Sequence, residues 1–247
     1  MRSRSFSHKM RRRIIVIAHR GASGIAPEST RAAIREAVRP GADMIELDVH
    51  MTRDGRLVVF HDDRLERTTN GRGRVAQARY VQLARLDAGG WFHPRFAGER
   101  IVLVSQALRL APKRVRINLE LKRTPRRRAL LRRVMQVLRR ARAARRVVLS
   151  SFDLRLLEPL RASRVAFALI NRRNPDRSLA QAVRLGCAAW HPVHTLVTPR
   201  RIQRAHAAGL RVHAWTVDDR RRARQLARWG VDGIVTNHPE RLRSLCR

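Results

Sequence analysis

Short apolar segments rich in β-branched residues alternate with amphipathic helical patterns along nearly all of this 247-residue chain, and that alternation restricts its possible folds most. Ile14–Ala18, Met44–His50, Val115–Leu121, Val147–Phe152, Val165–Ile170, Ala188–Trp190, Arg211–Val217 and Gly233–Thr236 read as strands. Arg31–Arg39, Ser105–Leu110, Pro125–Arg142, Leu154–Arg161, Asp176–Leu185, Pro199–Ala208, Asp218–Trp229 and Pro239–Leu245 read as helices, with Gly209 as a C-cap. Strands separated by helices return in the same direction, so the pattern calls for a parallel sheet. An open doubly wound sheet and a closed (β/α)8 barrel both satisfy it. The strand count and a length near the typical ~250 residues favour the α/β TIM barrel.

One stretch departs from the pattern. Asp54-Gly55 is a hairpin signal and leads into a further strand, Arg56–Phe60. From Asp63 to Glu99 the alternation breaks up around Asn70-Gly71, Gly89-Gly90 and Pro94, with Trp91, Phe92 and Phe96 near its end. This reads as a small irregular insertion, complete by about residue 104. Residues 1–12 read as a basic tail, and 13–247 as one domain without internal repeats.

The net charge is +36, carried almost entirely by arginine; lysine occurs only at positions 9, 113 and 122. The arginines are spread over nearly every helix, and aromatic residues are only 4%, too few for a base-stacking platform. That distribution argues against specific nucleic-acid recognition and allows nonspecific attraction to polyanions or an anionic membrane surface. No segment approaches the roughly 20 apolar residues of a membrane span. The apolar run after the basic tail, Ile14–Ala18, falls short of the ~7–15 residues of a secretory leader, so we expect a cytoplasmic protein. Cys187 and Cys246 form no C-x-x-C motif and no disulfide framework.

Chemistry enters on the second strand. In Met44-Ile45-Glu46-Leu47-Asp48-Val49, Glu46 and Asp48 share one face and the aliphatic residues share the other. Two acids side by side on an apolar strand repel each other and resist desolvation, and a bound cation relieves both. Barrel active sites lie at the C-terminal strand ends. Those ends supply His19 and Arg20, then Glu46, Asp48 and His50, then His61 and Asp62, then Glu120 and Lys122, then His213 and Trp215. Glu46, Asp48 and Glu120 form an all-oxygen set suited to a hard ion such as Ca2+ or Mg2+. His19 and His61 suit acid–base work near neutral pH, and Arg20 and Lys122 suit a phosphate. Together these groups point to phosphoester cleavage.

With those residues in place, the chain resembles the glycerophosphodiester phosphodiesterase family. The matching stretches are His19-Arg20-Gly21, Pro27-Glu28-Ser29-Thr30, Glu46-Leu47-Asp48-Val49, Val59-Phe60-His61-Asp62, Leu65-Glu66-Arg67-Thr68-Thr69-Asn70-Gly71, Asn118-Leu119-Glu120-Leu121-Lys122, Ser151-Phe152, Trp215-Thr216-Val217 and Asp232-Gly233-Ile234-Val235-Thr236. The resemblance implies a TIM barrel with a small subdomain inserted after the second strand. It implies a divalent cation on Glu46, Asp48 and Glu120, and His19 and His61 as base and acid. Arg20 and Lys122 then contact phosphate, and Glu28 is placed with them on the substrate side. Phe152 and Trp215 wall the glycerol or leaving-group side. The implied reaction is hydrolysis of glycerophosphodiesters to sn-glycerol 3-phosphate and an alcohol, with water or a neighbouring glycerol hydroxyl as nucleophile.

Two positions depart from the family pattern. Ser29 stands where Asn is usual, and Ser can still cap the following helix. Asn237 stands where Asp is common, which keeps the size and removes the charge. Two other functions compete: an arginine-rich binding protein on a silent barrel, which has no need of the three acids, and a lysophospholipase D-like activity, for which the sequence shows no apolar lip.

Overall fold

The computed structural model describes residues 13–243. The basic stretch 1–12, Cys246 and the expected end of the last helix at Leu245 lie outside them. Eight parallel strands close into a TIM barrel: β1 (Ile15–His19), β2 (Met44–Met51), β5 (Arg116–Leu121), β6 (Val147–Ser151), β7 (Ala166–Asn171), β8 (Ala189–Pro192), β9 (Arg211–Ala214) and β10 (Gly233–Thr236). Closure comes from β1, which pairs with β2 on one side and β10 on the other. Two short strands, β3 (Leu57–Val59) and β4 (Val102–Leu103), extend the sheet antiparallel from the far end of β2. The Asp54-Gly55 turn joins β2 to β3, with Gly55 at φ +76°, the left-handed conformation that favours glycine there.

Strand alternation divides the core into two shells. Ile45, Leu47 and Val49 of β2 and Ile117, Leu119 and Leu121 of β5 face outward and pack with Leu130, Val134 and Leu138 of the helix Arg127–Arg140. Ile17, Met44, Val148, Ala168, Ala189 and Val235 face inward as a second, smaller cluster. The interior is tight: a Cβ on Gly233 would come within 2.8 Å of the His213 ring. The segment between β3 and β4 has its own core of Phe60, Leu65, Val75, Leu83, Ala88 and Ile101, seated on Val58. Its irregular sequence therefore buries a separate apolar centre beside the barrel mouth.

Several helix boundaries differ from the expected ones, and at two helices a side-chain cap marks the start. Thr30 accepts from Ala33 N–H and starts the helix Arg31–Val38. Ser29, expected to be able to cap this helix, stands one position earlier at φ +63°, with its buried hydroxyl unpartnered. Asn tolerates that left-handed conformation better than Ser, which gives a physical reason for Asn being usual there. The expected strand Arg211–Val217 ends at Ala214. Asp219, not Asp218, caps the helix Arg220–Trp229 by accepting from Arg222 N–H.

Candidate active site

Register does most of the assembly. In the parallel ladders His19 lies opposite Glu46, and Asp48 lies opposite Glu120. Because all four lie on inward-facing positions, the pairing brings a histidine and three acids to one end of the barrel. One oxygen from each of Glu46, Asp48 and Glu120 lies within 4.8 Å of the others.

Just past β1 the chain turns through two left-handed residues, Arg20 at φ +54° and Gly21 at φ +83°. A Cβ on Gly21 would come within 2.6 Å of the Ala33 backbone, so only glycine fits this turn. The turn points the Arg20 backbone N–H at Glu46 Oε2, 3.0 Å away. The Arg20 side chain donates to Glu28 (3.0 Å) and lies 3.5 Å from Asp48. Lys122 Nζ donates to Glu120 and pairs with Asp48, at 2.7 Å each.

The acids do not titrate alike. Burial, then the charges of Asp48 and Glu120, push Glu46 well above the usual carboxylate range. Burial and Asp48 raise Glu120. Burial also works to raise Asp48, but Lys122 and Arg20 outweigh it and hold that carboxyl below its ordinary value. Glu46 Oε1 and Asp48 Oδ2 are buried without a hydrogen-bond partner. Buried carboxylate oxygens that accept no hydrogen bond, where three acids meet two cations, fit a hard divalent cation, which Glu46, Asp48 and Glu120 could hold.

His19 Nδ1 lies 2.7 Å from Asn237 Oδ1, which also accepts from Ser23 Oγ. The amide's orientation is set by its other end, because Asn237 Nδ2 donates to Asp218 Oδ2 at 2.6 Å and a carboxylate only accepts. His19 therefore carries its proton on Nδ1 and leaves Nε2 basic. Burial, with a smaller contribution from Arg20, lowers its pKa to about 4, so the ring is neutral at pH 7.

His61 follows β3, and its Nδ1 makes a short hydrogen bond to Asp62 Oδ1. Burial lowers His61, while the charge of Asp48 and the bond to Asp62 act in the opposite direction. Burial works to raise Asp62, but hydrogen bonds from Arg67 and His61 bring it down to about 2. Arg67 donates twice to Asp62 and twice to Glu28. A continuous belt thus runs His61–Asp62–Arg67–Glu28–Arg20 around one side of the mouth.

His19, Arg20, Glu46, Asp48, His61, Glu120, Lys122, Phe152 and Trp215 all line one cavity of about 1530 Å³. Phe152 and Trp215 meet edge to face, with centroids 5.7 Å apart. Arg172 lies over both rings, 5.9 Å from the Phe152 centroid and 5.5 Å from that of Trp215. Glu28, expected on the substrate side, turns its carboxylate to Arg20 and Arg67, and it is not among the residues lining this cavity. His213, expected at the mouth, lies deeper in the barrel, fully buried against His191 at 3.0 Å; strand alternation gave it the correct face but the wrong depth. Sequence reasoning overlooked Arg67, Arg172 and the part played by Asp218. Arg67 did carry a signal, because it falls inside the Leu65–Gly71 motif.

The glycerophosphoryl diester phosphodiesterase family model matches residues 19–241. A Bacillus subtilis (strain 168) protein described as "Putative glycerophosphodiester phosphodiesterase YhdW" is 39% identical over 230 residues, covering 91% of this chain and 95% of its own length. A glycerophosphodiester phosphodiesterase of Caldanaerobacter subterraneus subsp. tengcongensis is 34% identical over 240 residues, covering 94% of this chain and 98% of its own. Among solved structures, an Oleispira antarctica phosphodiesterase in complex with the product sn-glycerol-3-phosphate superposes with a TM-score of 0.86 at 30% identity, covering 93% of this chain and 95% of that one. This chain is an enzyme belonging to the glycerophosphoryl diester phosphodiesterase family.

Proposed function

We propose that the enzyme hydrolyses glycerophosphodiesters to sn-glycerol 3-phosphate and an alcohol, using a divalent cation held by Glu46, Asp48 and Glu120. The observation that carries this reading is the meeting of those three acids with His19, His61, Arg20 and Lys122 around a single cavity. The Oleispira antarctica relative holding sn-glycerol-3-phosphate supports the choice of product.

Glu46, Asp48 and Glu120 would hold the cation, Ca2+ or Mg2+, which would supply positive charge for the phosphate oxygens. The chain's own residues do the rest. Arg20 and Lys122, fixed by ion pairs, present cations to the remaining oxygens. His19, neutral and with Nε2 free, removes a proton from the nucleophile, and Asn237 Oδ1 keeps the required tautomer in place. His61 delivers a proton to the departing alcohol. Asp62 stabilises its imidazolium, and an arriving phosphate opposes the burial that lowers its pKa. Trp215 and Phe152 flank the alcohol side. A silent binding scaffold has no use for three converging acids, two of them with a buried oxygen that accepts no hydrogen bond, and that separates the two readings.

The test is coupled detection of glycerol 3-phosphate from a panel of diesters with Ca2+, Mg2+ or Mn2+, or with EDTA. Release that requires a cation and is lost in Asp48→Asn and Glu120→Gln is expected. Undiminished release in EDTA-treated, metal-free enzyme would overturn the reading.

A further inference from the structure

Beside the mouth lies a second cavity of about 600 Å³, and the reaction described above makes no use of most of its walls. The two cavities share Phe152, Leu154, Ile170 and Arg172, so the side cavity adjoins the main one at its Phe152–Trp215 wall. Its chemistry is one-sided. Among the described residues, Arg172, Arg173 and Arg177 line it and no carboxylate does. Among the described residues none of the three has an acidic partner; the nearby Asp176 is engaged by Arg201 and Arg204.

Two further features select a ligand. The helix Pro175–Leu185 begins at this cavity, with its N-cap Asn174 and first-turn Arg177 in the wall, and the positive end of a helix favours anions. Asn171 also lines the cavity and is only 7% exposed. Its Nδ2 donates to the Arg173 carbonyl, and its Oδ1 is left buried without a partner. That oxygen needs a donor, which a fully ionised phosphate group lacks and an alcohol hydroxyl supplies. The wall therefore asks for negative charge and a hydroxyl in the same molecule. Arg172 meanwhile covers the Phe152 and Trp215 rings, and a quaternary ammonium would have to compete with it for those faces.

Resting on the proposed hydrolysis, we infer that this side cavity is the leaving-group subsite and that it selects diesters whose departing alcohol is a phosphorylated polyol, over neutral polyols and over choline.

Glycerophosphoinositol 4-phosphate, glycerophosphoinositol and glycerophosphocholine test this directly, since all three release the same glycerol 3-phosphate. We expect kcat/KM to rise about tenfold from glycerophosphoinositol to its 4-phosphate, as charge-assisted contacts with arginine allow, and to be lowest for glycerophosphocholine. In Arg173→Gln/Arg177→Gln the ratio between the two inositol substrates should collapse towards one. A native ratio below about threefold, or one retained in the double variant, overturns the inference. Titration of inositol 4-phosphate against inositol needs no turnover and keeps the two proposals separate. If no diester is cleaved yet the phosphorylated ligand binds more tightly and loses that advantage in the double variant, the cavity stands as a phosphorylated-polyol site, and the hydrolytic reading falls together with the leaving-group role. Equal binding of the two ligands removes the subsite whatever the activity.

Discussion

Replacing Glu28 with glutamine tests whether this acid works by holding arginines or by touching substrate. Its carboxylate accepts from Arg20 Nη1 at 3.0 Å and from Arg67 at 2.7 and 3.0 Å. The Arg20 pair is shielded, with side chains 17% and 11% exposed, so that bond is worth roughly 1.5–3 kcal/mol. Arg67 is 45% exposed, and solvent screening reduces its two bonds to roughly 0.5–1 kcal/mol together. Glutamine keeps one acceptor oxygen and loses the charge, so roughly 1–3 kcal/mol should disappear. For a chain of this size that lowers Tm by roughly 2–4 °C for each kcal/mol. The decisive assay is a double-mutant cycle of Glu28→Gln with Arg67→Gln, read by urea unfolding and by kcat/KM. If Glu28 acts through the belt, the two changes couple by about the worth of that exposed pair, roughly 0.5–1 kcal/mol. If it contacts the diester itself, KM rises in Glu28→Gln alone and the changes add within roughly 0.3–0.5 kcal/mol, and the positioning argument fails.

Four further outcomes follow from the same geometry. His19→Ala and His61→Ala should each lower kcat/KM by roughly 10²–10⁴-fold; wild-type rates in both variants would remove the acid–base assignment. Asn237→Ala should free the His19 ring and lower kcat with little change in KM, measurable in the same assay. Acid should destabilise the fold. His19 and His191 titrate at about 4 and about 3 when folded, against 6.5 unfolded, so the unfolded chain takes up protons first and stability falls as pH drops below 6.5. Urea midpoints should register a loss of roughly 2 kcal/mol per histidine between pH 7 and 5, and His191→Gln should flatten that slope. The net charge of +36 should retain the protein on an anionic polymer at low salt and release it steeply as salt rises. Retention that ignores salt would refute an electrostatic cause.

The alternation of strands and helices called for a parallel sheet because burial imposes its period on every element separately, and strand count and length favoured its closure into a barrel. The Asp63–Glu99 stretch was legible only as a break in that rhythm. Its apolar residues follow neither period, so nothing local revealed that Phe60, Leu65, Val75 and Leu83 would form a core of their own. Site residues sorted the same way. Glu46 and Asp48 were readable as a pair because two residues apart on a strand means one face, whatever the fold. His213 obeyed that rule too and still went astray, since a face does not specify a depth along the barrel axis. Glu28 was read from its motif as a substrate-side residue, and its carboxylate turns instead to two guanidinium groups.

By itself the sequence determined which residues face inward and which chemical types gather at the strand ends, because side-chain direction and hydrophobic period are properties of adjacent residues. Only the tertiary structure decided which of them meet. Asn237 reaches His19 across 218 positions, and Arg67 reaches Glu28 across 39. Those contacts depend on strand register, barrel closure and loop course, each fixed by packing summed over the whole chain. No local window contains that sum.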